Sequence, residues 1–198
     1  NHFPERLIGL HSNMILAGPP EDKTQRENVT ASEAELRETR GDYMRGELAY
    51  QQIQATKPQS LGYALNDSPA GLAAWILEKF HGWTDMPQGA GGNLDDYFSK
   101  DELLTNISIY WFTESITSSM RIYYENRAVP QIKPTGYIDV PTGVALFPAE
   151  IYIIFFFKQK TAYEIRHWAQ LEKGGHFAAL EQTQTYLDEL NTFFRLLR

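Results

Sequence analysis

With 198 residues, the chain is long enough for one domain and short for two. Hydrophobic residues at 42% and aromatics at 13% exclude wholesale disorder, and surface scaling allows about 70% of the unfolded surface to be buried. A net charge of −7 argues against nucleic-acid binding, and the absence of cysteine removes disulfides, thiolate catalysis and cysteine-ligated zinc.

In chain order, Pro4-Glu5-Arg6 reads as the exit of a preceding helix, and Leu7–His11 as a buried strand. Residues 17–47 turn polar after the breaker Gly18-Pro19-Pro20. Thr30-Ala31-Ser32-Glu33 fits a capping box, which predicts a helix over 31–50. Ser68 is placed to cap the next helix, and Pro69 sits at the first helical position, where its missing N–H costs nothing. Leu72, Trp75, Ile76 and Phe80 then form one apolar stripe. Gly89–Gly92 is a loop without the lysine of a phosphate-binding turn.

Ser99 and Glu102 form another capping box, and the helix they start is predicted to run past Leu103, Ile107, Tyr110 and Trp111 toward Tyr124. Beyond Val129-Pro130 the texture becomes strand-like. Ile138–Phe147 reads as a strand entered past Pro141. Gln170–Gly175 suggests a short strand ending in a glycine turn. Thr183–Leu197 reads as an amphipathic helix with Tyr186, Leu187, Leu190, Phe193, Phe194 and Leu197 inward. The longest apolar run, Ile151–Phe157, falls far short of a membrane span.

Strands at both ends with a long helical stretch between them point to an α/β fold carrying a helical insertion. Two to four strands do not make a free-standing parallel sheet buried on both faces, so more sheet is expected upstream. The chain is therefore expected to be the C-terminal part of a longer protein. The expected division is a core strand in 1–17, a helical lid in 18–135 and a C-terminal core segment in 136–198.

Glu150 follows one strand and His176 follows the next. That order, acid before histidine, is the one expected of an α/β-hydrolase, where the acid orients the imidazole and the imidazole takes a proton. From spacing alone, a carboxylate and a histidine after strands are more often surface or packing groups. His11, His81 and His167 show no metal-ligand spacing, so no metal is expected. The sequons at Asn28 and Asn106 are triplets of a kind common by chance.

Several motifs together carry a family resemblance. Tyr50-Gln51-Gln52-Ile53-Gln54-Ala55-Thr56-Lys57-Pro58 and Ala64–Leu72 resemble the lid of microsomal-type epoxide hydrolases. So do Asp101–Asn106 with Tyr110-Trp111, Arg121–Asn126, Val140–Glu150 and Gly174-Gly175-His176-Phe177-Ala178-Ala179-Leu180-Glu181. The resemblance spans nearly the whole chain, in order. It implies that an aspartate attacks an epoxide carbon while two lid tyrosines, matched by Tyr50 and Tyr123, donate to the opening oxygen. A histidine, matched by His176 and backed by the acid Glu150, then activates water to hydrolyse the alkyl ester. Tyr63 and Tyr124 are nearby tyrosines outside the motif.

The resemblance also implies that the nucleophile elbow lies upstream of Asn1, which would leave this chain inactive on its own. The implied substrate is a small hydrophobic epoxide, with no nucleic acid and no membrane segment in this chain. An unpaired strand edge near Leu7–His11 would favour a homo-oligomer. A cytoplasmic location is the expectation left by the lack of targeting signals. A dehalogenase, an esterase and a non-catalytic fragment are the alternatives.

Two stretches depart from the family pattern. Glu114 stands where the family usually has glycine, and reads either as a solvated helix face or as a charge crowding the pocket. Phe157-Lys158-Gln159-Lys160-Thr161-Ala162-Tyr163-Glu164 reads as a translated sequencing adapter, so the stretch near 155–165 is expected to be an assembly artefact in register. Ile151–Phe157 is β-prone, uncharged and free of proline, a pattern that favours aggregation.

Overall fold

Three stretches far apart in sequence meet in one sheet. The computed structural model describes residues 3–14, 41, 45–87, 92–128, 138–151 and 163–198. Within them β1 (Leu10–Ser12), β2 (Ile138–Leu146) and β3 (Tyr163–Gln170) lie in the order β1-β2-β3, with both pairings parallel. This is the parallel α/β arrangement expected from the order of the elements. The chain divides into two compact units. One takes Asn1–Tyr43, Trp83–Asp85 and Pro134–Arg198, the other Met44–Gly82 and Met86–Lys133.

Strand β2 is central because it is apolar on both faces. Val140, Thr142, Val144 and Ala145 are all buried, the pattern of a parallel strand covered from both sides. Its register sets His11 of β1 and His167 of β3 on either side of Gly143. The strand runs through Pro141 over nearly the predicted range, and the ladder slips between Ile138 and Pro141. Proline has no N–H to give the ladder, and a bulge absorbs the gap.

The helical unit holds α1 (Ala49–Thr56), α2 (Pro58–Asp67), α3 (Pro69–Trp83, its last residue belonging to the sheet unit), α4 (Lys100–Phe112) and α5 (Ile116–Ala128). Prolines open α2 and α3, where no intrahelical N–H is needed. Ser68 Oγ accepts the Gly71 N–H at 3.0 Å, as the sequence predicts. The Ser99–Glu102 capping box is also formed, with Glu102 N–H on Ser99 Oγ at 3.2 Å and Ser99 N–H on Glu102 Oε2 at 2.8 Å. The Ser99 hydroxyl, which donates to Glu102 Oε2 at 2.7 Å, and after it the Ser99 N–H lower the Glu102 carboxyl pKa. The helices close over Leu65, Leu72, Ile107, Ile116 and Met120, with Trp75, Ile76, Tyr110 and Trp111 packed around them. Burying each such side chain stabilises by about 1.5–3 kcal/mol.

The single helix predicted from Ser99 toward Tyr124 is two helices. Glu114 has φ 51°, in the left-handed region. Its N–H bonds to the Trp111 carbonyl at 3.2 Å, and the Ser115 N–H bonds to the Tyr110 carbonyl at 3.1 Å. That pair of bonds is a Schellman closure, with Glu114 in the position that glycine ordinarily fills. Glu114 is exposed, so its side chain is solvated, as the first of the two readings held. Its departure from the family is a backbone matter. Of the predicted helix over 31–50, residues 41, 45–47 and 49–50 are helical, the last two opening α1. Residues 31–40 and 42–44, the Thr30–Glu33 capping box, residues 89–91 of the glycine loop and residues 152–162 lie outside the described residues.

In the sheet unit β1 starts later than predicted, at Leu10, after a 3-10 turn at Pro4–Arg6; Leu7 and Ile8 are exposed. The strand predicted at Gln170–Gly175 is displaced: β3 occupies Tyr163–Gln170 and ends where that strand was expected to begin, while Gly174, at φ +117°, belongs to the turn beyond it, as expected of the glycines. A short helix α6 (Ala178–Glu181) then leads into α7 (Thr183–Arg195). Phe193 of α7 is fully buried, but Leu187 and Phe194 are exposed, against the expectation that both face inward. Sequence neighbours on a helix point about 100° apart, so Phe193 and Phe194 cannot both face the sheet. A Cβ on Gly143 would lie 2.6 Å from the Phe193 ring, so glycine here is what lets α7 seat on β2.

Candidate active site

The loops after β2 and β3 come together first through their backbones. Ala149 bridges to Gly175 in parallel sense, and the Ala149 N–H bonds to the Gly174 carbonyl at 3.0 Å. Each chain leaves the sheet on the same side, as parallel strands must, and the next side chain on each loop carries the chemistry. Glu150 is 1% exposed and His176 Nδ1 lies 2.9 Å from its Oε1 and 3.1 Å from its Oε2. An ionised carboxylate accepts only, so Nδ1 carries the proton and Nε2 keeps its lone pair. The imidazole remains 24% exposed, consistent with a ring that exchanges protons with water.

Two aromatic rings frame the imidazole. The Trp83 ring meets it edge to face at 5.0 Å between centroids, and the Phe177 ring at 5.2 Å. The His176 N–H donates to the Trp83 carbonyl at 2.9 Å. Sequence reasoning gave Trp83 no role.

In the helical unit, Tyr50 of α1 and Tyr123 of α5 are partners. Their ring centroids are 5.8 Å apart at 75°. Burial, followed by a hydrogen bond with Tyr50, pushes the Tyr123 phenol well above its ordinary pKa; a bond with Gln54 opposes this. The phenol therefore stays protonated and available to donate at neutral pH. Gln54 is buried and accepts the Trp75 indole N–H at 3.2 Å, which holds it in place beside the pair. Lys79 lies 5.2 Å over the Tyr50 ring and pairs with Glu47 at 3.2 Å. Tyr63 and Tyr124, the tyrosines outside the motif, are exposed. Gln54 and Lys79 escaped the sequence reading because nothing local marks a buried amide or a lysine stacked on a ring.

Two further histidines, His11 and His167, pack against α7. His167 Nε2 is 2.7 Å from Glu189 Oε2. His11 packs against Tyr186 and Phe193 with both ring nitrogens buried and unbonded among the described residues. Burial lowers the His11 pKa. Among the described residues no cluster of His, Asp or Glu is arranged to hold a metal ion, and no helix is long and apolar enough to cross a membrane.

Comparison with known proteins gives a consistent set of relatives, although no family model matches the chain. A putative epoxide hydrolase of Stigmatella aurantiaca is 39% identical over 98% of this chain and 43% of its own length. Epoxide hydrolase 1 of Sus scrofa is 43% identical over 76% of this chain and 35% of its own length. Among solved structures, the juvenile hormone epoxide hydrolase of the silkworm Bombyx mori superposes with a TM-score of 0.78 at 31% identity, over 99% of this chain and 51% of that one. The Aspergillus niger epoxide hydrolase gives 0.76 at 29% identity, over 95% of this chain and 46% of that one. The chain thus spans about half or less of the length of the proteins it matches.

Proposed function

This chain belongs to the epoxide hydrolase family, of the microsomal and juvenile hormone type, and from that premise we propose that it supplies the water-activating half and the lid of an enzyme that hydrolyses small hydrophobic epoxides to diols. In this reading residues 18–135 are the lid, residues 1–17 and 136–198 belong to the core, and an aspartate nucleophile comes from sequence preceding Asn1.

The observation that carries the proposal is the buried Glu150 carboxylate on Nδ1 of His176, which puts the proton on Nδ1 and the basic lone pair on Nε2. In the first step a carboxylate oxygen attacks an epoxide carbon, and the C–O bond breaks toward the oxygen. Tyr50 and Tyr123 donate to that oxygen as it becomes an alkoxide, and the raised Tyr123 pKa keeps its phenol in the donor form. In the second step His176 Nε2 takes a proton from water, and the resulting hydroxide adds to the ester carbonyl. The acyl C–O bond then breaks: the diol oxygen leaves and takes the proton back from the imidazolium. The aspartate is restored as a carboxylate once its remaining acid proton replaces the one given to the epoxide oxygen. Glu150 steadies the imidazolium formed in between. A pair of phenols suits an oxygen that must be protonated on leaving. A halide needs no such proton.

The test starts with the coding DNA upstream of Asn1, where an aspartate codon at the nucleophile elbow is expected and a serine or a stop codon would overturn the reading. The intact protein is then given styrene oxide. His176→Gln should alkylate and stall, adding the mass of one epoxide to the protein in intact mass spectrometry. Sustained turnover by that variant would remove His176 from the role assigned to it.

A further inference from the structure

The histidine loop has no ladder or helix to hold its amides, yet each of four consecutive N–H groups is engaged. Gly174 N–H donates to Asp85 Oδ2 at 2.8 Å, Gly175 N–H to Glu181 Oε2 at 2.9 Å, His176 N–H to the Trp83 carbonyl at 2.9 Å and Phe177 N–H to Glu181 Oε1 at 2.9 Å. The same Glu181 Oε2 also accepts the Asp85 N–H at 2.9 Å. One carboxylate thus grips the loop on both sides of His176 and ties it to residues 83–85.

From this geometry we infer that Glu181, seconded by Asp85, is a positioning residue for His176: its carboxylate holds residues 175–177 so that the imidazole keeps Nδ1 on Glu150. The inference rests on the reading of His176 as the base.

Two features argue that the clamp acts on the histidine and is more than a surface staple. The loop begins with two glycines, the residues with the most conformational freedom to lose, so an unclamped His176 would wander. The approach is also close. A Cβ on Gly175 would run into the Trp83 carbonyl oxygen and lie 2.9 Å from the Asp85 nitrogen, so the loop backbone is pressed against the 83–85 backbone with room for glycine alone. Burial raises the Glu181 pKa, and the nearby Asp85 carboxylate adds to this, while the three amides hold it down. The amide bonds offset part of the cost of burying this carboxylate.

A neutral glutamine has a single acceptor oxygen and places an N–H₂ against an amide donor, so Glu181→Gln retains at most one side of the grip. Glu181→Ala retains neither. The primary readout is the imidazole itself, by proton–nitrogen correlation NMR of the intact protein at neutral pH. The native protein is expected to show His176 as the Nδ1–H form, with a low-field proton on the bond to Glu150. In folded Glu181→Ala, that resonance should be lost to exchange and the tautomers should mix, with Glu181→Gln intermediate. If Glu181→Ala is too unstable for the spectrum, Glu181→Gln and Asp85→Asn carry the same comparison.

In the kinetic arm, a misplacement on the order of 1 Å costs about 100-fold. Ester hydrolysis should therefore slow by about 10- to 100-fold, with alkylation by styrene oxide unchanged. A folded Glu181→Gln or Glu181→Ala that keeps the native Nδ1–H resonance and hydrolyses the ester within about twofold of the parent overturns the inference. Failure of the parent to alkylate would instead strike the proposed function, and the NMR comparison would still decide the clamp.

Discussion

Replacing Glu114 by glycine should stabilise the protein, although it deletes a side chain and loosens the unfolded chain. Glu114 sits at φ 51°, and a side-chain-bearing residue in that region costs roughly 1–2 kcal/mol because its Cβ crowds the following carbonyl. Glycine removes that cost but gives back about 0.4–1 kcal/mol through the larger entropy of the unfolded state. The net gain is about 0.5–1 kcal/mol, because the two Schellman bonds, from Glu114 to Trp111 and from Ser115 to Tyr110, involve only backbone and are retained. With a urea m-value of about 2 kcal/mol/M, the midpoint should rise by roughly 0.3–0.5 M at unchanged m.

A second variant separates backbone from charge. An acidic residue at a helix C-terminus opposes the macrodipole, and that effect is worth about 0.3–1 kcal/mol at most. Glu114→Gln removes the charge and keeps the Cβ, so it should recover only that smaller part. A Glu114→Gly midpoint at or below the parent's would refute the reasoning, as would Glu114→Gln matching Glu114→Gly.

Gly143→Ala should destabilise by about 1–3 kcal/mol through overpacking, since its Cβ would meet the Phe193 ring at 2.6 and 2.7 Å. Thermal melts by circular dichroism read the loss, and adding Phe193→Leu should return part of it; strictly additive losses would show that the clash is not the cause. His11 supplies a pH dependence. Its folded-state pKa lies below the ordinary 6.5 because of burial, with Glu189 opposing and His167 adding. The unfolded chain therefore takes up more protons, and stability falls as pH drops below about 6.5 until the folded-state value is passed. Urea midpoints at pH 7.5 and 5.5 should converge in His11→Leu relative to the parent, and equal pH slopes in the two proteins would contradict this.

Much of the local architecture was legible because its causes act within a few residues. Ser68 and Ser99 cap helices through atoms three residues away, Pro69 sits where a helix needs no N–H, and the apolar stripe through Leu72 and Phe80 buries as its spacing implies. The errors share the opposite character. The break at Glu114 left no sign because glutamate does not advertise a left-handed backbone. The slip at Pro141 and the outward turn of Leu187 and Phe194 depend on what lies across the sheet.

The family motifs named Tyr50, Tyr123, Glu150 and His176 and assigned no geometry to any of them. What the sequence determined alone is the set of caps, the order of strands and helices, and the kinds of side chain available. Tertiary structure alone decided which of them meet. Glu150 and His176 are 26 residues apart, and Glu181 and Asp85 are 96 apart. A hydrogen bond tolerates only a few tenths of an ångström, and positions that precise across so much chain come from the packed sheet and core, where every neighbour constrains the next.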